Sequence, residues 1–537
     1  MSDSPPPTGD TAAFDWYATY IDNPAALANT YRGARVAAPT AFPSFAAARS
    51  GLPQPFWEGH AASLEAYWKA WEITFSRLRR PEPANGFVSP YLDTGFNGNL
   101  FMWDSAFITL FARYAVSAFD ARGTLDNFYA KQHRDGFICR EIRTSDGTDC
   151  FARFDPAATG PEVLPWAEWE HYRALGDLAR LTRVYPALLA YHEWMGRYRA
   201  WPDGGFWACG WASGMDNQPR LNPPQEAGGP YGPRAPTPDG PREWWDHGHM
   251  TWVDAQAQSA LAARCLARMA AALGREAEAT TLRAEQARLA AWTNANLWDE
   301  EAAYYFDRRA DGRLTGVKSI GAYWALLAGL VPPERSERFI AHLNDEREFR
   351  RAHRAPTLSA DHPDFNPLGG YWRGAVWSPT NYMLLRGLVE LDADHPAGGF
   401  DGAGLAHEIA LNHLAAVTAV YSDSGTLWEN YAPDVIRPGQ PAAPEFVGWT
   451  GLTPVAVLLE HVFGLRADQP AARLVWDLRL LEAHGVSNYP FGTGGRLNLS
   501  CERRENTRDE PRVNVEATCP VTLDLRWAGG ERSVTLP

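Results

Sequence analysis

Lysine is almost missing from this chain: Lys69, Lys131 and Lys318 stand alone among 537 residues, and arginine supplies the remaining positive charge. We read that bias as codon usage rather than chemistry. Basic runs are missing too. With 50 Lys+Arg against 64 Asp+Glu the net charge is −14, which argues against nucleic acid or an anionic membrane surface as partner. The longest apolar stretch, Gly321 to Val331, is far too short to span a bilayer. Cysteine is sparse, at positions 139, 150, 209, 265, 501 and 519, with no C-x-x-C spacing. Zinc and thioredoxin-like readings therefore fall away, and a reducing compartment is expected. Cys501 and Cys519 are left as a pair that could bridge neighbouring strands. The opening MSDSPPPTGD has neither a positive region nor an apolar core. It reads as a polar disordered tail, with no signal peptide and a cytoplasmic location as the expectation.

What is present is a globular composition, 45% hydrophobic and 21% charged, with 23 tryptophans. Broad aromatic faces suit the apolar faces of sugar rings, although many tryptophans simply fill cores. Periodicity predicts helices over 61–79, 105–119, 122–132, 166–176, 178–199, 249–272, 275–296, 319–330, 333–343, 379–392, 403–420 and 454–464. In the sixth, Val253, Ala257, Leu261 and Cys265 recur at four-residue spacing. Twelve helices with long connecting loops and no constant repeat suit a toroid of paired helices better than a solenoid. After Gly464 the pattern changes to alternating strands such as RLNLSCE and VTLDLRW. The expected fold is mainly α, an (α/α)6 toroid with a small C-terminal antiparallel β-module. The expected division is a lead-in at 1–59, the barrel at 60–465 and the β-module at 470–537. A further segment, Pro219 to Pro241, holds eight prolines and four glycines. It reads as a lid over a pocket, or else as an exposed insertion.

Tryptophan-rich strings precede helix starts. In GGYWRGAVWSPTNYMLL, Ser378 and Pro379 are a natural N-cap and first helical residue; in FVGWTGLTPVAVLLEHVF, Thr453 and Pro454 repeat the arrangement. NLFMWDSAFITLF places Asp104 at or beside another N-cap. If alternate helices run the same way around a toroid, Trp103, Asp104, Trp372, Arg373, Trp377 and Trp449 converge on one concave mouth. Each has a plainer reading as a cap, a core tryptophan or a structural ion pair. Two carboxylates stand in aromatic loops: Asp216 in GWASGMDNQPR, with Trp211 just upstream, and Glu429 in SDSGTLWENYAPD. Either could be a solvated turn residue. As a pair, a protonated carboxylic acid that donates to a leaving oxygen and an ionised one that activates water are what glycoside hydrolysis needs.

The strings FMWDSAF, KQHRDGFICRE, SGMDNQPR, GGYWRGAVWSPTNY, LWENY and GWTGL, in that order over roughly residues 85–465, resemble the inverting glycosidases built on an (α/α)6 barrel. The resemblance is to glycoside hydrolase family 63 with the mannosylglycerate and glucosylglycerate hydrolases, and more distantly to the trehalases of family 37. It implies an exo-acting enzyme on α-glycosidic bonds, with Asp216 as general acid and Glu429 as general base. It further implies Trp103 and Asp104 as ligands of the sugar before the cleaved bond, and Gln132 as another sugar contact. Trp372, Arg373, Trp377, Asn381 and Trp449 become pocket walls. Phe101 departs from relatives that carry tryptophan there, and the β-module lies outside the resemblance. The implied partner is an oligosaccharide or small glycoside. No organic cofactor is implied, and a structural Ca²⁺ or an oligomeric state leaves no signature in this sequence. Asp104, at a helix N-terminus, is expected to stay ionised. Three rivals remain: a phosphorylase on the same barrel, which would need phosphate instead of a base at Glu429; an epimerase relying on paired histidines such as His247 and His249; and a binding protein without catalysis.

Overall fold

A computed structural model describes residues 21–34, 41–221 and 245–537. The expected N-terminal tail and nearly all of the Pro219–Pro241 segment lie outside the described residues. Twelve helical segments fall where periodicity places them: α1 (Ala61–Ser76), α2 (Met102–Ala112), α3 (Gly123–Ala130), α4 (Leu164–Leu175), α5 (Leu178–Tyr198), α6 (Val253–Ala272), α7 (Glu276–Asn296), α8 (Trp324–Leu327, continuing a 3-10 turn at Ile320–Tyr323), α9 (Pro333–Ala341), α10 (Ser378–Asp394), α11 (Gly402–Ser424) and α12 (Thr453–Val462, wound as a π-helix).

Burial is uneven along this series, complete or nearly so in α2, α3, α8 and α12 and confined to a few positions in α7 and α9. Every residue of α2 and of α12 is buried, as is every residue from Ile320 to Leu327. In α7 only Ala279, Leu282, Leu289 and Thr293 are buried, and in α9 only Ser336, Phe339 and Ile340. A helix apolar all round belongs inside, whereas one with a single apolar stripe covers a surface. The even-numbered segments touch in sequence, α2 on α4, α4 on α6, α6 on α8, α8 on α10, α10 on α12 and α12 on α2. At the heart of this arrangement Glu460 of α12 accepts hydrogen bonds from Arg113 (2.6 Å), Tyr114 (2.8 Å) and Tyr382 (2.8 Å), while Arg386 pairs with Glu170 at 2.9 Å. These charges tie α4, α10 and α12 together where no water reaches.

Three helix starts differ from expectation. Ser378 and Thr453 are the first residues of their helices, and their hydroxyls bond each other at 2.7 Å instead of capping. Helix α6 begins at Val253, not 249, because His249 takes a positive φ and Thr251 is engaged in a bridge with Arg308.

The C-terminal strands form two four-stranded sheets. With β1 (Gln54–Trp57), β2 (Leu465–Asp468), β3 (Arg473–Asp477), β4 (His484–Phe491), β5 (Gly495–Cys501), β6 (Val513–Ala517), β7 (Val521–Trp527) and β8 (Gly530–Leu536), the orders are β1-β4-β5-β6 and β8-β7-β3-β2. The expected wholly antiparallel module is corrected in one pair: β3 and β7 run parallel, Leu474 opposite Leu523. Sequence neighbours β2 and β3 form a hairpin, so β7, arriving from the other sheet, can only add on the far side of β3. Strand β1, from the lead-in, pairs with β4 through Trp57 opposite His484. Cys501 and Cys519 are not bridged, and all six thiols are free.

Candidate active site

The loops that enter α2, α4, α6, α10 and α12 enclose a cavity of about 900 Å³. Trp103 and Asp104 come from the first turn of α2, Gly160 and Pro161 from the approach to α4, and Trp211 and Asp216 from the segment before α6. Tyr371 and Trp372 precede α10; Glu429, Ala443 and Trp449 precede α12. The expected convergence of helix N-terminal loops on one mouth is observed for four of the six residues named for it, Trp103, Asp104, Trp372 and Trp449, but not for Arg373 and Trp377; Trp211, Asp216 and Glu429 line the same cavity. The inner end is closed, with Asp104, Trp103, Trp372, Glu429 and Trp449 all buried, while Phe96 at the mouth is 56% exposed.

The loop carrying Asp216 is held from below. Helical turn Gly210–Ser213 stops at Gly214, whose φ of 74° needs glycine and whose missing Cβ would lie 3.1 Å from the Trp103 ring. Gln218 donates to the carbonyl of Thr357 (2.6 Å) and accepts from Ser319 (2.7 Å). Arg220, wholly buried, pairs with Asp254 at 2.9 Å and Asp307 at 3.1 Å, under the face of Trp252. Asn217 clamps the facing loop: its Nδ2 donates to the carbonyl of Gly370 (3.1 Å) and its Oδ1 accepts from the backbone N–H of Trp372 (2.9 Å). These two bonds bracket Tyr371, which sits at φ 65°, a left-handed conformation unusual for a residue with a side chain.

Tyr371 Oη donates to Glu429 Oε1 at 3.3 Å, and Ala443 N–H donates to Glu429 Oε2 at 3.1 Å. Trp449 Nε1 holds the backbone of Glu429 through its carbonyl (2.9 Å). Burial raises Glu429 to about 7; the bonds from Ala443 and Tyr371 pull the other way, and the Asp216 charge adds to the rise. Burial likewise raises the half-buried Asp216 to about 6, against the pull of Arg140. Asp104 is pushed well above the usual carboxylate range by burial, reinforced by Glu429 and Asp216. That direction runs against the expectation that Asp104 stays ionised. Its helix N-terminus contributes about 0.3–1 kcal/mol, less than burial beside two other carboxyls costs. Asp104 is also not a cap: Phe101 occupies that position, lines the cavity and lies edge-on to Phe96.

Four sequence-predicted contacts stand outside the cavity wall. Gln132 spends its amide on the carbonyls of Gly136 (3.0 Å) and Ala187 (2.8 Å) and accepts from Asn29 (2.9 Å). Asn381 is buried and donates to the carbonyl of Ala355 at 3.2 Å. Trp377 lies flat behind Trp372, centroids 3.8 Å apart. Arg373 Nε donates to the Asn217 carbonyl at 3.0 Å, so it braces the Asp216 loop from outside. Among the cavity residues that sequence reading passed over are Tyr371, Asn217, Arg140 and Glu141, although all four sit inside strings singled out. His247 and His249 lie with Trp201 and Trp207 and not in the cavity. Among the described residues no cluster of three metal-ligating side chains occurs, and no helix is long and apolar enough to cross a membrane.

Comparison with known proteins follows the same lines. A family model described as the mannosylglycerate hydrolase MGH1-like glycoside hydrolase domain matches residues 98–440. An uncharacterised protein of Borreliella burgdorferi is 20% identical over 71% of this chain and 75% of its own length. A probable mannosyl-oligosaccharide glucosidase of Schizosaccharomyces pombe is 25% identical over 51% of this chain, but the match spans only 34% of that protein. Among solved structures, a GH63 mannosylglycerate hydrolase of Thermus thermophilus in complex with glucose aligns with a TM-score of 0.55 at 23% identity, over 72% of this chain and 99% of the other.

Proposed function

Because this chain belongs to the mannosylglycerate hydrolase-like family of glycoside hydrolases, we propose that it is an exo-acting, inverting hydrolase of α-glycosidic bonds, with α-glucosides or related small glycosides as substrates. The six segments α2, α4, α6, α8, α10 and α12, which touch in a closed sequence, support reading the helical part as an (α/α)6 toroid. The observation that carries the function is the dead-end cavity holding Asp216 and Glu429. A closed inner end admits a terminal sugar and rejects a chain passing through.

In this reading Asp216 donates its proton to the glycosidic oxygen. Glu429 removes a proton from a water that attacks the anomeric carbon from the opposite face, so the C–O bond breaks as the new one forms and the configuration inverts. The hydrogen-bond partners support the role of Glu429, which accepts from Tyr371 and Ala443, and both bonds favour a carboxylate. For Asp216 it is burial that favours the protonated form, against the pull of Arg140. Burial raises both carboxyls, Glu429 to about 7 and Asp216 to about 6, and the substrate sorts the protons between them, since the glycosidic oxygen accepts from Asp216 and the attacking water donates to Glu429. Asp104 faces hydroxyls of the terminal sugar, with the Trp103, Trp372 and Trp449 rings around it.

The test is sugar release from α-glucosides, α-mannosides and glycerate conjugates, with and without phosphate. Release independent of phosphate from at least one α-glycoside is expected. Strict phosphate dependence would identify a phosphorylase, and tight binding without release a lectin-like protein.

A further inference from the structure

From the cavity wall outward, partly exposed aromatic rings gather in two groups. Phe151 and Trp211 line the cavity with ring centroids 5.8 Å apart, and Trp211 reaches Trp245 at 6.2 Å. Four residues before Trp211, Trp207 lies 5.8 Å from Trp201 and 4.9 Å from His247. Phe151, Trp207 and Trp211 all pack on one small core around Cys209 and Trp252, which gives both groups the same support. The rings are fixed from beneath: Arg140 lies 4.6 Å from the Phe151 ring centre, Arg199 lies 4.5 Å from that of Trp207, and Trp201 Nε1 donates to the Met250 carbonyl at 2.9 Å.

We infer that this surface, running from Trp211 over Trp207 to Trp201, holds further sugar units on the leaving side of the cleaved bond, so that the preferred substrate is an oligosaccharide. The inference rests on the reading of Asp216 as the acid. Trp211 belongs to the helical turn directly before Asp216, so a leaving group protonated by Asp216 emerges over Trp211 first. The C–H faces of pyranose rings are apolar and weakly positive, and aromatic faces are their negative complement. Rings already fixed by buried partners lose little freedom on binding, which suits repeated stacking of one sugar after another. The imidazole of His247 beside them offers hydrogen bonds to hydroxyls. A plain coat over the small core would explain burial of one edge of each ring. It would not explain a run of rings left half open from the acid outward.

The experiment measures calorimetric affinity of the full-length Asp216→Asn protein for α-1,4-linked glucose oligomers of two to five units, and hydrolysis of the same series by the unmutated enzyme. Affinity is expected to tighten about tenfold or more between two and four units. Trp207→Ala, and independently Trp245→Ala, are expected to erase that gain while leaving the disaccharide value unchanged. Affinity independent of length, or equal losses for disaccharide and tetrasaccharide in both variants, overturns the platform. No binding of any oligomer overturns it as well. Length-dependent binding without hydrolysis by the unmutated enzyme supports the platform and removes the proposed activity. Hydrolysis without length dependence does the reverse.

Discussion

Asp216 and Glu429 differ in what they do to bond cleavage, and substrates can tell them apart. An acid is needed only when the leaving oxygen is basic. Asp216→Asn is therefore expected to lose about 10²–10⁴ of its rate on an alkyl or sugar leaving group yet keep near-normal turnover of an α-glycosyl fluoride. Glu429→Gln should be inactive on both, because water still needs its base. The opposite pattern would exchange the two roles. Tyr371→Phe removes the hydroxyl that favours the Glu429 carboxylate; the acid limb of the kcat/KM profile is expected to move to higher pH, with the fold unchanged. The raised carboxyls also affect stability. A group whose folded value lies above its unfolded one stabilises at low pH, and that contribution disappears as pH rises through the folded value. For Glu429 the window runs from about 4.5 to about 7. Glu429→Gln should accordingly melt above the unmutated protein at pH 8, by about 1–3 kcal/mol, and level with it at pH 4.5. Differential scanning calorimetry at the two pH values checks this.

Among the elements, loops carry the acid and the base, while Trp103 and Asp104 come from the first turn of α2. Asn217 reaches from the Asp216 loop to both sides of Tyr371, and Tyr371 reaches Glu429, so acid and base are linked through three residues. The anchor beneath is Arg220 between Asp254 and Asp307. Removing one partner of such a buried group leaves uncompensated charge. Arg220→Leu is expected to cost about 3–5 kcal/mol and to depress kcat along with it, whereas loss of stability with unaltered kcat would show that the loop keeps its place without the anchor. Much of this was legible in the strings: both carboxylates, the tryptophan walls and the helix starts that bring them together. Gln132 was misplaced because its motif sits on the loop after α3, where its amide is consumed by neighbouring carbonyls, and no spacing rule distinguishes that from a sugar contact. Tyr371 was passed over because the tryptophans and arginine beside it carry a stronger signal, although its Gly-Gly approach marked a tight backbone.

Across the chain as a whole, the twelve helical segments were readable from periodicity, whereas which of them are buried all round was not. What sequence could not supply was long-range pairing. Strand β1 is separated from β4 by the entire helical series, and the parallel join of β3 to β7 has no local mark. These joins have a consequence. Trp57 packs edge-on against Phe463 at the end of α12, Gly492 donates to the Ala174 carbonyl of α4 (3.2 Å), and Arg479 of the strand region pairs with Asp401 beside α11 (2.8 Å). Helices and sheets are thus expected to unfold in urea as one transition, coincident by far-UV circular dichroism and tryptophan fluorescence. Two separated transitions would show that the sheets are an independent unit.

The proposed chemistry requires Asp216 and Glu429 to work on opposite faces of the sugar ring. Proton NMR of the first sugar released from an α-glycoside reads this from the product itself. Initial appearance of the β-anomer, equilibrating later to the mixture, is the predicted result. Initial appearance of the α-anomer would overturn the proposed roles, because retention requires two displacements at the anomeric carbon and not a single attack by water.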